Sequence, residues 1–177
     1  MPPRHRNLPT QWLMTDERLG DALWRALDAL PRGAGVIFRH YATPPAERRA
    51  LFARVARVAR RNRLVLVSAG AQRLGHADGV HGRQPKPERG ILTWPAHSRR
   101  EALAGARAGA DLLFMSPLFA TRSHPGGKVL GPRKAGVIIR GLNVPAIALG
   151  GMTARRFRKL HGFYGWAAID AWITRDA

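Results

Sequence analysis

Residues 90–115, GILTWPAHSRREALAGARAGADLLFM, contain two apolar runs separated by a polar one. Residues 90–94 and 110–115 each have the composition of a buried strand. Between them Ser98 and Glu101 form a capping box, in which a serine and a glutamate satisfy the free N–H groups at a helix start. Gly109 is the usual residue type just past a helix end. These residues therefore predict a strand–helix–strand unit with parallel strands.

The same alternation continues toward both ends of the chain. Apolar runs predict further strands at residues 11–14, 35–39, 64–67, 78–81, 146–149 and 166–169. Helical spacing predicts further helices at residues 19–30, 43–61, 133–140 and from residue 154 onward. Because apolar and polar residues do not alternate within the strand runs, both faces of the sheet are predicted to be buried.

Eight parallel strands with helical crossovers predict an α/β fold of the (β/α)8 TIM-barrel type, with a doubly wound open sheet as the alternative. A typical barrel has about 31 residues per unit, whereas this chain of 177 residues has about 22. Segments 70–77 and 82–89 are too short for full helices. We therefore predict a shortened barrel with trimmed third and fourth crossovers. One domain spans residues 1–177, and residues 1–10 are expected to form a flexible basic tail.

The composition excludes several classes of protein. The chain has 30 Lys+Arg against 11 Asp+Glu, a net charge of +19, and 26 of its 30 basic residues are arginine. This charge favours anionic partners. The arginines are spread nearly end to end, as a GC-rich coding background would also give, so nucleic acid is not expected as a partner. The absence of cysteine excludes disulfides and thiolate chemistry. The chain has no membrane-length apolar run and no secretory signal, so a cytoplasmic location is expected.

Barrel enzymes carry their site residues just past the C-terminal ends of the strands. Those positions hold Asp16, Arg39, His40, Ser68, His81, Gln84, His97, Ser116, Gly150, Gly151 and Asp170. His81 and His97 are equally compatible with a site and a structural role, and Asp16 and Asp170 with a site and a capping role. Carboxylates are too few at these positions to predict a protein-held Mg²⁺.

Two segments are candidate phosphate sites. The Gly150–Gly151 pair lies between a predicted strand and helix, where backbone N–H groups can approach an anion. An ordinary glycine turn with Thr153 as the helix cap is the alternative. In the long loop after the sixth strand, Thr121, Arg122 and Ser123 offer hydroxyls and a guanidinium, which are good phosphate donors.

Four segments match motifs of one family: ADGVH at 77–81, HSRREA at 97–102, GADLLFMSPLFATRSHPG at 109–126 and VPAIALGGMT at 144–153. In combination they resemble the thiamine phosphate synthase/TenI family, and the resemblance extends from about residue 64 to 172. It implies a small TIM barrel, usually dimeric, acting in thiamine biosynthesis. The synthase of that family joins a pyrimidine diphosphate to a thiazole phosphate and expels pyrophosphate with the assistance of Mg²⁺.

The resemblance also implies roles for individual residues. Arg39 matches the arginine of the family's Gln-Leu-Arg-x-Lys strand end, and Thr121 and Ser123 match its Thr-x-Thr phosphate loop. The Gly150–Gly151 pair matches the glycines that bind thiazole phosphate, and the Ile169–Asp170 backbone completes that pocket. The predicted catalytic residues are Arg39 and His124, and the predicted ligand-binding residues are Ser68, His81, Thr121, Arg122, Ser123, Gly150, Gly151, Ile169 and Asp170.

Other positions depart from the family pattern. Ser68–Ala69 replaces an Asn-Asp pair, and Lys86 stands at the second metal-binding aspartate. Pro95 replaces a pyrimidine-site serine, and Pro117 replaces the catalytic histidine of the TenI tautomerase branch. Mg²⁺ is therefore expected only if the substrate holds it. An arginine, Lys86 or His124 would then stabilise the leaving pyrophosphate.

The sequence thus supports three hypotheses. The leading one is a thiamine phosphate synthase/TenI-like protein that binds a phosphorylated thiazole and couples it to a pyrimidine diphosphate, as a transferase would. The second is a catalytically inactive phospho-ligand sensor or partner-binding barrel. The third is an RNA-associated basic protein. A homodimer and the absence of a membrane partner are further expectations.

Overall fold

The computed structural model describes residues 8–70, 72–121, 126 and 128–173. In them the strands are β1 Gln11–Met14, β2 Gly35–Phe38, β3 Val65–Ala69, β4 Gly79–His81, β5 Ile91–Ala96, β6 Leu112–Met115, β7 Ala146–Leu149 and β8 Gly165–Ala168. The helices are α1 Ala22–Ala29, α2 Pro45–Asn62, α3 Arg99–Arg107, α4 Pro132–Ile139 and α5 Ala154–Phe157. Short 3-10 helices lie at Glu17–Leu19 and Asp170–Trp172.

The eight strands form a closed barrel in which every neighbouring pair is parallel and β1 pairs with β8. Trp12 on β1 lies opposite Gly35 on one side and Ala167 on the other. Closure confirms the predicted (β/α)8 barrel and excludes the open doubly wound sheet. None of the helices in the described residues is both long and apolar enough to cross a membrane.

The barrel is short because two crossovers contain no helix in their described residues, namely the segments between β3 and β4 and between β4 and β5. The second of these loops is held by Lys86, whose Nζ lies 2.7 Å from Asp111 Oδ1. The other oxygen of Asp111 accepts a hydrogen bond from Leu92 N at 2.8 Å. The predicted trimming of the third and fourth crossovers is confirmed.

Side chains alternate along the strands and fill the interior of the barrel. Trp12 is fully buried and packs edge-on against Phe114, with ring centroids 5.3 Å apart. Phe114 packs in the same way against His81. Gly35 leaves room for the indole, because a methyl group on its Cα would overlap the Trp12 ring. The outer faces of the strands pack against the helices, so both faces are buried, as predicted.

Several element boundaries differ from the prediction. β3 runs on to Ala69, so Ser68 lies within the strand instead of following it. β5 continues through Pro95 to Ala96. The first predicted helix divides into a 3-10 turn and α1, and the last is the single turn α5. The shift in β3 matters most, since it changes which residues reach the C-terminal end of the barrel.

Candidate active site

A cavity of about 880 Å³ opens at the end of the barrel where the strands terminate. Each strand, or the residue directly after it, contributes to the wall: Met14, Arg39, Gly70, His81, Pro95, Ser116, Leu149 and Ala168. Barrel enzymes have their active sites at this end. Small-molecule sites have volumes of roughly 300–1,000 Å³, so the cavity has room for an organic ligand that carries phosphate.

Cations outnumber anions on this wall. The basic residues that line it are Arg39, Arg83, Lys128 and Lys134. Among the described lining residues Asp170 is the only acid. Many other arginines lie on outer helical surfaces, and the exposed ones on α2 are Arg49, Arg54, Arg57, Arg60 and Arg61. The cavity therefore has a positive character of its own, separate from the basic surface, and favours an anionic ligand.

Arg39 is held at the wall by contacts with the loop after β1. Its Nη2 lies 2.6 Å from Asp16 Oδ2, and its Nε donates to the Thr15 carbonyl at 2.9 Å. Burial alone would raise the pKa of Asp16, but hydrogen bonds from Arg18 and the charge of Arg39 lower it below its usual value. Asp16 is therefore an ionised cap of the first 3-10 helix that also orients Arg39, as in its predicted capping role.

His81 forms part of the cavity wall and is only 7% exposed. Its Nδ1 lies 2.9 Å from Thr93 Oγ1, and the Thr93 hydroxyl donates to the Val80 carbonyl at 3.3 Å. Because that hydroxyl proton is used, Nδ1–H donates to the threonine oxygen and Nε2 is the acceptor nitrogen. Burial, with a smaller effect of the Arg39 charge, lowers the pKa of His81 to about 3. The neutral ring can accept a hydrogen bond but adds no positive charge for a phosphate.

We expect the protein to lose stability as the pH falls from 6.5 toward about 3, because His81 titrates near 6.5 when unfolded but stays neutral in the barrel. The unfolded chain binds the additional proton in this window, which lowers the free energy of unfolding by about 1.4 kcal/mol per pH unit. Burial lowers the pKa of His40 as well, so His40 contributes in the same direction.

Denaturant unfolding at pH 7 and pH 5 tests this expectation. His81→Gln should show a smaller pH dependence than the wild type, whereas His161→Gln, at an exposed position, should keep the wild-type dependence. An unchanged pH dependence in His81→Gln would contradict the burial of a neutral imidazole.

His97 lies at the cavity wall with its ring fixed in orientation. Its Nδ1 donates to the Ser116 carbonyl at 2.8 Å, since a carbonyl oxygen only accepts. Its backbone N–H donates to Glu101 Oε2 at 2.6 Å, and Ser98 Oγ accepts from Glu101 N at 3.3 Å. Ser98 therefore caps α3 as predicted, but the capping box is formed only in part, because Glu101 accepts from the residue before the cap and not from Ser98 N. Because Nδ1 carries the donated proton, Nε2 is the acceptor nitrogen of the neutral ring.

Gly150 and Gly151 form the turn after β7, with φ angles of +95° and +59°. A Cβ atom on Gly150 would lie 2.8 Å from Pro117 Cα, and one on Gly151 would lie 2.5 Å from Ala120 O. The backbone N–H of Phe119 donates to the Gly150 carbonyl at 3.1 Å. The two glycines are therefore required both by their backbone angles and by close packing against the loop after β6.

Seven of the eleven residues predicted to be catalytic or ligand-binding line this one cavity: Arg39, His81, Thr121, Gly150, Gly151, Ile169 and Asp170. Among the other strand-end candidates, Gln84, His97 and Ser116 line it too, whereas Asp16 and His40 do not. Ser68 does not line it. Its register partner Phe38 packs on Phe52 of α2, so Ser68 lies on the helix-facing side of the sheet. Arg122, Ser123 and His124 lie outside the described residues. Thr153 caps α5, and its Oγ1 accepts a hydrogen bond from Arg156 N at 3.2 Å. The alternative interpretation of this segment, a glycine turn followed by a helix that Thr153 caps, therefore also describes it correctly.

The described donors do not fit a protein-held Mg²⁺. Lys86 lies at the N-terminal end of the barrel beside Asp111, so its predicted part in stabilising pyrophosphate is wrong. Asp16 is bound by two arginines, and Ser68 faces the helices. Across residues 8–70, 72–121, 126 and 128–173, no three His, Asp or Glu side chains are grouped as metal ligands would be.

Sequence reasoning missed four basic residues of this region: Arg48, Arg83, Lys128 and Lys134. An arginine of this helix is expected on its solvated side, where Arg49, Arg54, Arg57, Arg60 and Arg61 lie, but Arg48 is buried. The spacing of the sequence could have predicted this burial. Arg48 precedes Phe52 by four positions and Val55 by seven, so it lies on the same apolar face of the helix. Lys128 lies within the long loop after β6, and Lys134 lies in α4 directly after that loop. No local pattern predicts the path of the loop.

A closed parallel barrel with a cation-lined cavity at its C-terminal end defines a small (β/α)8 protein with a candidate site for an anionic ligand. The family model described as thiamine monophosphate synthase (TMP-TENI) matches residues 12–171 of this chain. The chain therefore belongs to the thiamine monophosphate synthase/TenI family, which confirms the resemblance seen in the motifs.

Individual relatives match over shorter lengths. The chain is 33% identical over 85 residues to a putative thiamine-phosphate synthase 2 of Aquifex aeolicus, a match that covers 47% of this chain and 46% of that protein. It is 34% identical over 113 residues to a thiamine-phosphate synthase of Desulfitobacterium hafniense, covering 56% and 55%. The matches thus span about half the length of these curated relatives. The thiamine phosphate pyrophosphorylase of Pyrococcus furiosus has a similar fold, with a TM-score of 0.75, 22% identity, and coverage of 96% of this chain and 89% of that one.

Proposed function

We propose that the cavity binds a thiazole phosphate, with the phosphate group on the wall made by Thr121, Lys128, Lys134 and the Gly150–Gly151 turn. The observation that carries this proposal is the convergence of separate segments on one side of the cavity. The loop after β6 packs directly on the glycine turn, and Leu130 N donates to the Pro117 carbonyl at 2.9 Å. Pro117 itself packs on Gly150, so this contact joins the chain just after Lys128 to the residue that packs on the turn.

The chemistry of this wall suits a phosphate monoester. Lysine side chains supply ammonium donors and Thr121 a hydroxyl, and both groups bind phosphate oxygens well. The family motifs at Thr121 and the Gly150–Gly151 turn support the assignment to a thiazole phosphate. An uncharged thiazole alcohol would gain nothing from the lysines, so the proposal predicts a strong preference for the phosphorylated form.

Coupling of the bound thiazole to a pyrimidine diphosphate is the second candidate function. The thiazole nitrogen would attack the methylene carbon of the pyrimidine, and the carbon–oxygen bond to the diphosphate would break as pyrophosphate leaves. The specific observation in its favour is a second group of cations in the cavity wall. Arg39 follows β2 and Arg83 follows β4, and neither strand is a neighbour of β7, which leads into the glycine turn. Both arginines are paired with a carboxylate, Arg83 with Glu101 at 2.7 Å and Arg39 with Asp16 at 2.6 Å. We retain Arg39 as the candidate for the diphosphate because it is the one that matches the family motif.

Incubation of the full chain with both precursors separates coupling from binding alone. Formation of thiamine phosphate and pyrophosphate, with and without added Mg²⁺, would establish the transferase function. Saturable binding of thiazole phosphate with no product at high protein concentration would instead assign a non-catalytic phospho-ligand sensor. Failure of thiazole phosphate to bind would contradict the proposal itself.

Lys134→Gln is expected to weaken thiazole phosphate binding by about five- to tenfold at low salt, because a charge-assisted contact with the phosphate is lost. Lys159→Gln is the matched control, since Lys159 is equally a surface lysine but does not line the cavity. Isothermal titration calorimetry measures both affinities. Equal effects of the two substitutions would show that the lysine acts only through the overall charge of the protein.

A further inference from the structure

Arg48 is an arginine on the core-facing side of α2, and it is only 5% exposed. Its Nε and Nη2 donate to the Arg39 carbonyl at 3.0 and 2.7 Å, and Nη2 also donates to the Ala69 carbonyl at 2.7 Å. Its Nη1 donates to Gln72 Oε1 at 3.2 Å. One guanidinium therefore ties the residue directly after β2 to the last residue of β3.

All of these acceptors are uncharged. Within the described part of the chain, no carboxylate forms an ion pair with Arg48. Removing a guanidinium from water without a counter-charge is unfavourable. Neutral donors could satisfy the same oxygens, so the charge itself calls for a further explanation.

The charge of Arg48 lies directly behind one part of the cavity wall. Tyr41 and Gly70 line the cavity there. The guanidinium carbon lies 5.6 Å from the centroid of the Tyr41 ring, and Nη2 lies 3.8 Å from the place a Cβ atom on Gly70 would occupy. Arg39 reaches the same wall, but Asp16 at 2.6 Å offsets its charge. Arg48 therefore supplies positive charge at this place without a paired carboxylate.

We propose that Arg48 is a positioning residue for an anionic group bound at the wall formed by Arg39, Tyr41 and Gly70, here called the Arg39 wall. It holds the Arg39 main chain at the end of β2 and gives the wall a fixed positive charge inside a medium of low polarity. A diphosphate then binds at this wall without a protein-held metal. The inference rests on the proposed function in one respect, that the cavity is the ligand site.

Calorimetric titration of pyrophosphate into the full chain, in buffer containing EDTA, tests this role. Arg48→Gln is expected to weaken pyrophosphate binding by about fivefold or more. Arg49→Gln is the matched control, since Arg49 is the next residue of α2 and is exposed, and it should bind pyrophosphate as the wild type does. Denaturant unfolding of each variant gives the folded fraction, so that affinity is expressed per folded molecule.

Arg48→Lys separates charge from geometry, because lysine keeps the charge but cannot hold the three carbonyl contacts as a guanidinium does. We expect it to restore part of the affinity lost in Arg48→Gln. If Arg48→Gln does not fold, a weakened affinity in Arg48→Lys supports the proposal.

Two results would overturn the inference. Wild-type affinity per folded molecule in the Arg48 variants would leave the residue a purely structural role. Pyrophosphate binding by the wild type that is absent, or that requires Mg²⁺, would remove the metal-free anion site. A failure of the proposed function is distinguishable from both. If thiazole phosphate does not bind but pyrophosphate binding depends on Arg48, the thiazole assignment is wrong and the role of Arg48 stands.

Discussion

Gly151→Ala is expected to weaken thiazole phosphate binding by at least about tenfold, because two independent costs meet at this position. The φ angle of +59° is unfavourable for any residue with a Cβ atom. That atom would also lie 2.5 Å from Ala120 O and 3.0 Å from Phe119 Cβ, so the loop that leads to Thr121 must move. Binding calorimetry with thiazole phosphate measures the loss.

Gly162→Ala is the control for the backbone cost alone. Gly162 has a φ of +79°, but no atom lies within 4 Å of the place its Cβ would occupy. It should lose about 1 kcal/mol of stability and bind the ligand as the wild type does. Wild-type affinity in Gly151→Ala would show that the glycine turn and the loop after β6 do not position the phosphate.

Gly35→Ala is expected to lower the free energy of unfolding by about 3 kcal/mol, because the new methyl group would overlap the Trp12 indole inside the barrel. Trp12 is enclosed by Phe114 and by its strand neighbours, so it has no space into which to move. Urea unfolding monitored by far-ultraviolet circular dichroism measures the change.

Gly136→Ala provides the control, because Gly136 lies within α4 and nothing lies within 4 Å of its Cβ position. That substitution should be neutral or stabilise the protein by up to about 1 kcal/mol. Combining Gly35→Ala with Trp12→Leu should cost less than the sum of the two single substitutions, since the smaller side chain makes room for the methyl group. Wild-type stability in Gly35→Ala alone would contradict the packing inside the barrel.

The strands and most helices are predictable from the sequence because their signals are local. The apolar runs at β1, β3 and β6 and the cap at Ser98 each act within a few residues of themselves. Gly150 and Gly151 are predictable as a turn for the same reason. The trimmed crossovers are predictable from the lengths of the two segments alone, since eight residues between strands cannot form a full helix.

The errors concern contacts between distant segments. Ser68 was expected after a strand, but β3 continues two residues further than predicted and includes it. Its side chain lies on the same side of the sheet as that of Phe38, which faces the helices. Lys86 pairs with Asp111, a partner 25 positions away that no local pattern identifies. Arg48 binds the carbonyls of Arg39 and Ala69, which come together only when the barrel closes.

The central claim is that the cavity is a site for a phosphate ester, and one comparison tests it most directly. Thiazole phosphate and the corresponding thiazole alcohol are titrated separately into the full chain by isothermal calorimetry. We predict saturable binding of the phosphate at least about tenfold tighter than that of the alcohol, with the difference decreasing as salt is added. Equal affinities for the two compounds, or no binding of the phosphate, would contradict the account.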